Sequence, residues 1–323
     1  MAIASEGLVA EVPPRAHHLM RPASGLGDRI FLTLSFLGAL AVPVIVALIA
    51  VQLVDRSSLA IHQFGWSFLH KSTWDPVAGD FGALPFIYGT VVSSLLALAM
   101  ATPVALGLAV FLTEFCPPLV RKVLGFATDL LAAIPSVIYG LWGIFVLVPL
   151  MRNVVQPFLV KTLGFTGLFG GPSYGIGMFT AALILAIMVV PLISSIAREV
   201  LVTVPREQRE AVLALGATKW EMVRVAVIRN SWRGIWGGVF LGLGRALGET
   251  MAVTMVIGNR PEVAKNLLAP AYTLSSVIAN EFSEASDDLY LSALAEIALV
   301  LFAVSIVVNV IARLMVRGVV RNA

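Results

Sequence analysis

Apolar residues in this chain come in long, nearly unbroken runs rather than at the alternating or every-third-residue positions of a soluble domain. Six runs stand out: Ile30–Val54, Ile87–Thr113, Leu124–Leu150, Gly175–Ala197, Ile235–Gly258 and Leu291–Ala312. About 20 apolar residues in a helix cross about 30 Å of hydrocarbon. Only a helix or a closed barrel satisfies its backbone there, and the ten-residue alternation of a barrel strand is absent. The pattern predicts an all-α integral membrane protein with six transmembrane helices.

The polar stretches divide the chain further. Residues 1–28 read as an N-terminal tail, 29–54 as the first span, 55–86 as a loop, 87–313 as a core of five spans and 314–323 as a C-terminal tail. The run after residue 28 is too long for a signal-peptide core, so no cleaved leader is expected. Pro43, Pro103, Pro135, Pro149 and Pro191 lie inside spans. Each removes a backbone donor and permits a bend, so bent or broken helices are expected. The glycine-rich stretch 152–175 reads as an irregular connection.

Composition supports this reading: 59% of the 323 residues are hydrophobic and 13% charged, against about 45–50% and 25% in soluble domains. Net charge is +3. With the N-terminus inside, 15 of the 22 Lys and Arg fall on inside segments and six outside, as the positive-inside rule requires when both ends are cytoplasmic. The remaining one, Arg245, is within a span. The outside segments 55–86 and 258–290 carry Trp66, Phe68, Trp74, Phe81 and Tyr272, which suit either interface anchors or a docking surface.

Several chemistries are excluded. Neither Lys-[Ser/Thr] pair, Lys71–Ser72 or Lys161–Thr162, has the preceding glycine of a phosphate-binding loop. Gly171–Gly175 fits G-x-S-x-G, but all four histidines precede Ser173, whereas the catalytic histidine of that motif follows its serine. Cys116 is the sole cysteine, so no intrachain disulfide forms. No Cys/His spacing suggests a metal, and no cofactor is implied.

Residues 198–234 form the one large polar element on the inside. Pro205 suits a helix start and Gly216 a helix end. Thr218–Glu221, "TKWE", has the spacing of a capping box. A helix, a glycine turn and a second helix are predicted. Ala211, Leu215 and Val212 form a small apolar face beside Glu210. The pair could receive another protein or lie in the headgroups.

The fifth span contains "GLGRALGETMAV", Gly242–Val253. Its two charges, Arg245 and Glu249, cost about 2.5–3.5 kcal/mol each at a span's centre on the insertion scale. Four residues apart in a continuous helix, they would share one face and could pair. Glycine pairs 238/242 and 244/248 allow close helix packing. The pair then reads either as a clasp in a tight helix interface or as a place where Arg245 meets an anion in a water-filled pathway.

"EAVLALGA", Glu210–Ala217, resembles the EAA loop of ABC importer permeases. Glu210, Ala211 and Gly216 match that pattern, Val212 replaces its second alanine, and Arg229 stands where the loop usually ends in proline. Thr102–Phe115, Asp129–Pro149, "GLGRALGETMAV" and Ser275–Ala285 are together similar to the PstC-type permease subunits of bacterial phosphate importers. That resemblance implies a type I ABC importer permease architecture, with 198–234 as the cytoplasmic coupling loop. It also implies a PstA-type sister permease, a PstB-type ATPase dimer, a periplasmic phosphate-binding protein and inorganic phosphate as substrate. The chain would sit in the bacterial inner membrane and perform no bond chemistry. An importer of another oxyanion, such as molybdate or sulfate, shares the loop. A secondary transporter using Glu249 as a proton site would usually need internal repeats, which are not evident.

Overall fold

The computed structural model describes residues 25–321, with side chains through Leu314. The tail expected over 1–28 falls mostly outside the described residues. Two units divide between Ile49 and Ala50. The described part of the first is helix only, from α1 (Gly25–Arg56), which runs through Pro43 without a break. All else belongs to the second unit: α2 (Ser58–Phe64), α3 (Ser67–His70), α4 (Leu84–Phe115), α5 (Pro118–Ala133), α6 (Ser136–Thr166), α7 (Met178–Val202), α8 (Arg206–Ala214), α9 (Lys219–Gly248), α10 (Met251–Ile257), α11 (Leu274–Glu281) and α12 (Asp288–Arg321). Among the described residues, five helices are long and apolar enough to cross a membrane, or six if the bent pair α9 and α10 makes one span.

Two runs fold differently from the pattern's simplest reading. Leu124–Leu150 is not one helix. It divides at Ile134, whose backbone is extended (φ −65°, ψ 128°) before Pro135, because a proline ring clashes with a helical residue ahead of it. The span begins afresh at Ser136. It then continues to Thr166, so the first half of the expected 152–175 loop is helical. The glycines that made 152–175 read as a loop all lie at Gly164 and beyond, so they describe only its second half. At the far end α12 runs on through Arg321 rather than stopping near 313.

The core of the second unit is built on small residues. Ala97, Ala101 and Ala105, one turn apart on α4, are all fully buried with Ile184, Leu185 and Ile193 of α7. With only methyl groups between them the two helices approach closely, as membrane helices require when lipid offers no hydrophobic drive to pack. Gly238 and Gly242 do the same for α9. An added Cβ at Gly242 would lie 2.7 Å from Val189 and 2.8 Å from Ile193, and one at Gly238 would lie 3.1 Å from Ile196.

A second cluster joins the 55–86 segment to α12. Phe68, Trp74 and Phe81 are buried with Phe86, Tyr272 and Tyr290, and Phe81 stacks on Tyr290 at 5.4 Å. Trp74 Nε1 and Tyr290 Oη both donate to Glu281 Oε2, at 2.7 and 2.6 Å. Most of the aromatics read as anchors or docking residues are therefore core. Only Trp66, at 83% exposure, remains outward.

Candidate functional site

The fifth span is not one helix. α9 stops at Gly248 and α10 starts at Met251, bent by 63°. Glu249 has extended backbone (φ −72°, ψ 127°). Inside a membrane a break exposes backbone groups that must find other partners. Here Ser275 Oγ donates to the Glu249 carbonyl at 2.9 Å, and Thr250 Oγ1 to that of Gly248 at 3.4 Å. Ser275 is itself held by α11, whose N-cap Thr273 accepts from Ser276 N. Thr90 Oγ1 of α4 accepts from Leu274 N at 2.9 Å. The break is thus a built feature: the Ser275 hydroxyl of α11 meets it directly, and the Thr90 hydroxyl of α4 holds the start of α11.

This changes the geometry of the two charges. Arg245 is on the last turn of α9 and exposed, while Glu249 is beyond the helix and half-buried. They form no ion pair in this structure. The Glu249 carboxylate instead turns toward the start of α10, where Ala252 N donates to Oε1 at 3.4 Å. The expectation of a shared helix face fails because residue 249 is not helical.

Arg245 has its own setting. Leu241, Gly244, Arg245 and Gly248 recur at helical spacing along one stripe, and none of them is buried. Nothing stands within 4 Å of a Cβ added at Gly244 or Gly248. The glycine pair 238/242 is packed, and the pair 244/248 is open. Tyr139 belongs to α6, just past the Pro135 break, and donates to the Leu131 carbonyl across that break at 2.8 Å. It lines an apolar cavity of about 320 Å³ with Leu131, Ile134, Ile138, Trp142 and Ile187.

The two broken helices lean on each other. Gly140 of α6 meets α10, where an added Cβ would lie 2.4 Å from Met255 Sδ and 3.2 Å from Ala252 Cα. The Pro135 and Glu249 breaks are therefore joined through α6 and α10, with Arg245 four residues ahead of the second. A guanidinium on an open stripe can hold two oxygens of a tetrahedral oxyanion with paired donors.

At the opposite end of α9 is the predicted helix–turn–helix. α8 ends at Ala214, and Gly216 takes the left-handed conformation (φ +84°). The capping box is formed. Thr218 Oγ1 accepts from Glu221 N at 3.3 Å, and Glu221 Oε2 accepts from Thr218 N at 2.8 Å. Glu210, Ala211 and Gly216 are all exposed, and Leu215 is 88% exposed. Val212 departs from the expected face. It is half-buried, turned inward against the cluster of Leu201, Val204, Met222 and Val223. The second helix of the pair does not end before the span. α9 runs unbroken from Lys219 to Gly248, through a π-helical stretch at Val223–Ile228. Arg229 keeps the N–H that a proline would lack, so nothing interrupts the helix there.

Sequence reasoning missed Ser275, Tyr139 and Glu296. Ser275 was visible only as one hydroxyl in a Thr-Leu-Ser-Ser stretch, and its use depends on a break that the sequence did not announce. Glu296, a carboxylate inside α12, is 6% exposed, and its Oε2 has no hydrogen-bond partner. It lines a separate, largely apolar cavity of about 850 Å³ between α12, α4 and the 61–70 segment. A lone acidic residue inside the sixth run was its signal.

Residues 101–321 match the family described as binding-protein-dependent transport system inner membrane component. The phosphate transport system permease protein PstC of Mesorhizobium japonicum is 48% identical over 294 residues, 90% of this chain and 90% of that protein. The PstC of Haemophilus influenzae is 44% identical, covering 90% of this chain and 93% of its own length. Two solved structures share the fold. One, of the MetNI methionine ABC transporter facing inward, has a TM-score of 0.53 at 17% identity, covering 72% of this chain and 94% of its own. The other, of a bacterial ABC transporter involved in import of the acidic polysaccharide alginate, has a TM-score of 0.54 at 18% identity, covering 90% and 99%. On the match over 101–321 and these relatives, the chain belongs to the inner membrane component family of binding-protein-dependent transport systems.

Proposed function

We propose that this protein is the permease subunit of an ATP-driven phosphate importer and that Arg245 is its anion-contacting residue. The substrate rests on the relatives named PstC, at 43–48% identity over most of the chain. The site rests on one observation: the open stripe of α9 that carries Arg245 one turn ahead of the helix break at Glu249. A permanently charged guanidinium offers phosphate paired donors without needing a particular pH. Glu249, one turn of chain further on, adds repulsion that keeps the site from holding a dianion too tightly. In this reading the two residues pair transiently while the pathway is empty, and phosphate interrupts the pair.

Both termini and residues 198–234 face the cytoplasm of a bacterial cell, by the distribution of Lys and Arg, and 55–86 and 258–290 face the periplasm. Glu210, Ala211 and Gly216 present the coupling surface to a PstB-type ATPase, two copies of which serve this chain and a PstA-type sister permease. A periplasmic phosphate-binding protein delivers the anion. The exposed Leu215 and Trp220 beside Gly216 support a protein partner at that turn. The continuity of α9 supports a direct route from that turn to Arg245.

The deciding experiment is phosphate uptake by Arg245→Ala permease assembled with its partners in membrane vesicles. Uptake should fall by about tenfold or more while assembly and ATPase binding persist. Normal uptake by a correctly inserted variant would sink the role of Arg245.

A further inference from the structure

We infer that Glu114 and Arg209 form a strut that passes motion of the coupling helix α8 into α4, and that Glu114 is a positioning residue for transport. The inference rests on the reading of 198–234 as the ATPase-coupling element.

The geometry is specific. Arg209 stands on α8 directly before Glu210. Its Nη2 reaches Glu114 Oε1 at 3.0 Å and also donates to the Leu201 carbonyl, at the end of α7, at 2.9 Å. Both side chains are largely buried, Arg209 at 19% exposure and Glu114 at 8%. Glu114 sits in the π-helical turn Phe111–Phe115 that closes α4. The other half of the coupling element reaches the same turn, since Lys219 Nζ lies 4.9 Å above the Phe115 ring. Arg121 at the start of α5 completes the joint, donating to the Thr113 and Cys116 carbonyls at 3.1 and 3.3 Å. One widened turn therefore receives α8, α9 and α5 together.

The consequence is mechanical. α8 is tied to α9 by the chain itself and to α4 by this ion pair. Ala109 and Val110 of α4 already pack against Val223, Ala226 and Val227 of α9, but that apolar contact is non-directional, and without the ion pair a push on the exposed face of α8 would reach α4 only through it. With the strut in place, α4 and α9 are yoked at the coupling end. A buried charge pair suits this task because its partners are not readily replaced by water, and removing one leaves the other uncompensated. The same fact makes a single substitution ambiguous between misfolding and uncoupling. Replacing both partners by neutral residues removes the uncompensated charge and spares the fold.

The test uses the complete transporter in proteoliposomes, with bound ATPase, ATP hydrolysis and phosphate uptake measured on each sample. Glu114→Gln alone and the pair Glu114→Gln with Arg209→Met should keep the ATPase bound and hydrolysing. Their uptake per ATP should fall about tenfold or more, read as a loss of coupling rather than of binding. Arg209→Lys, which keeps the charge and one donor, should recover much of it. If the doubly neutral variant transports with normal stoichiometry, the pair serves stability alone and the inference falls. It falls equally if that variant loses its ATPase, since the pair would then shape the docking face. Ala211→Trp is the separate control. It should release the ATPase, and an ATPase that stays bound would overturn the coupling reading of α8, and the strut with it, whatever the Glu114 variants show.

Discussion

Two glycine pairs on the same helix, with the same spacing, have opposite surroundings. Gly238 and Gly242 are pressed against Ile193, Ile196 and Val189 of α7, whereas Gly244 and Gly248 face open space on the stripe with Arg245. A small-xxx-small pattern allows close approach, but it does not say whether a neighbour of the same chain takes up the offer. One face of α9 is therefore scaffold. The other is free for the pathway or for a partner subunit.

The sharpest way to break this contrast is to add volume to each pair. Gly242→Leu drives a side chain into Val189 and Ile193, and overpacking of a tight core typically costs about 1–3 kcal/mol or more. Permease recovered in folded form should fall severely. Gly244→Ala should leave folding intact, as judged by thermal unfolding in detergent. Next in size is Arg245→Ala, expected to lower uptake about 10- to 150-fold, the range for losing hydrogen bonds to a charged group, with no change in assembly. Glu249→Gln should have a smaller, two-sided effect. Removing the repulsion should lower both the half-saturating phosphate concentration and the maximal rate, each by a few-fold, as expected when ground-state strain is relieved. The smallest effect is at the coupling end, where Thr218→Ala removes the cap from α9 and should cost about 1 kcal/mol, visible as a slightly lower unfolding temperature with coupling retained.

How much could be read beforehand follows the range of each interaction. The glycine end at Gly216 and the capping box at Thr218–Glu221 depend on residues three or four apart, and both formed as the sequence indicated. The glycine pairs of α9 were legible as places where a helix could pack closely, but not that 238/242 would be packed and 244/248 open. The break at Glu249 was not. No proline precedes it, and the residues that make it tolerable, Ser275 and Thr90, come from distant segments. Pro135 was visible as a bend, but an apolar run averages across such a break and hides that α5 and α6 are separate helices. The aromatic core around Trp74 likewise depends on Tyr290 and Glu281, more than 200 residues away in sequence. The charges themselves were found by their rarity, Arg245 above all. Their relation to one another needed the fold.

The central claim is that the open stripe of α9 lines the phosphate pathway. Its most direct test is thiol accessibility in the assembled transporter, with Cys116→Ser as background. Gly244→Cys and Gly248→Cys should react with a hydrophilic, membrane-impermeant thiol reagent, and phosphate should slow that reaction. Ala246→Cys, on the packed side, should stay inert. If positions 244 and 248 prove inert, or react at a rate phosphate does not alter, the stripe is a subunit interface or lipid-facing surface and Arg245 is not in the pathway.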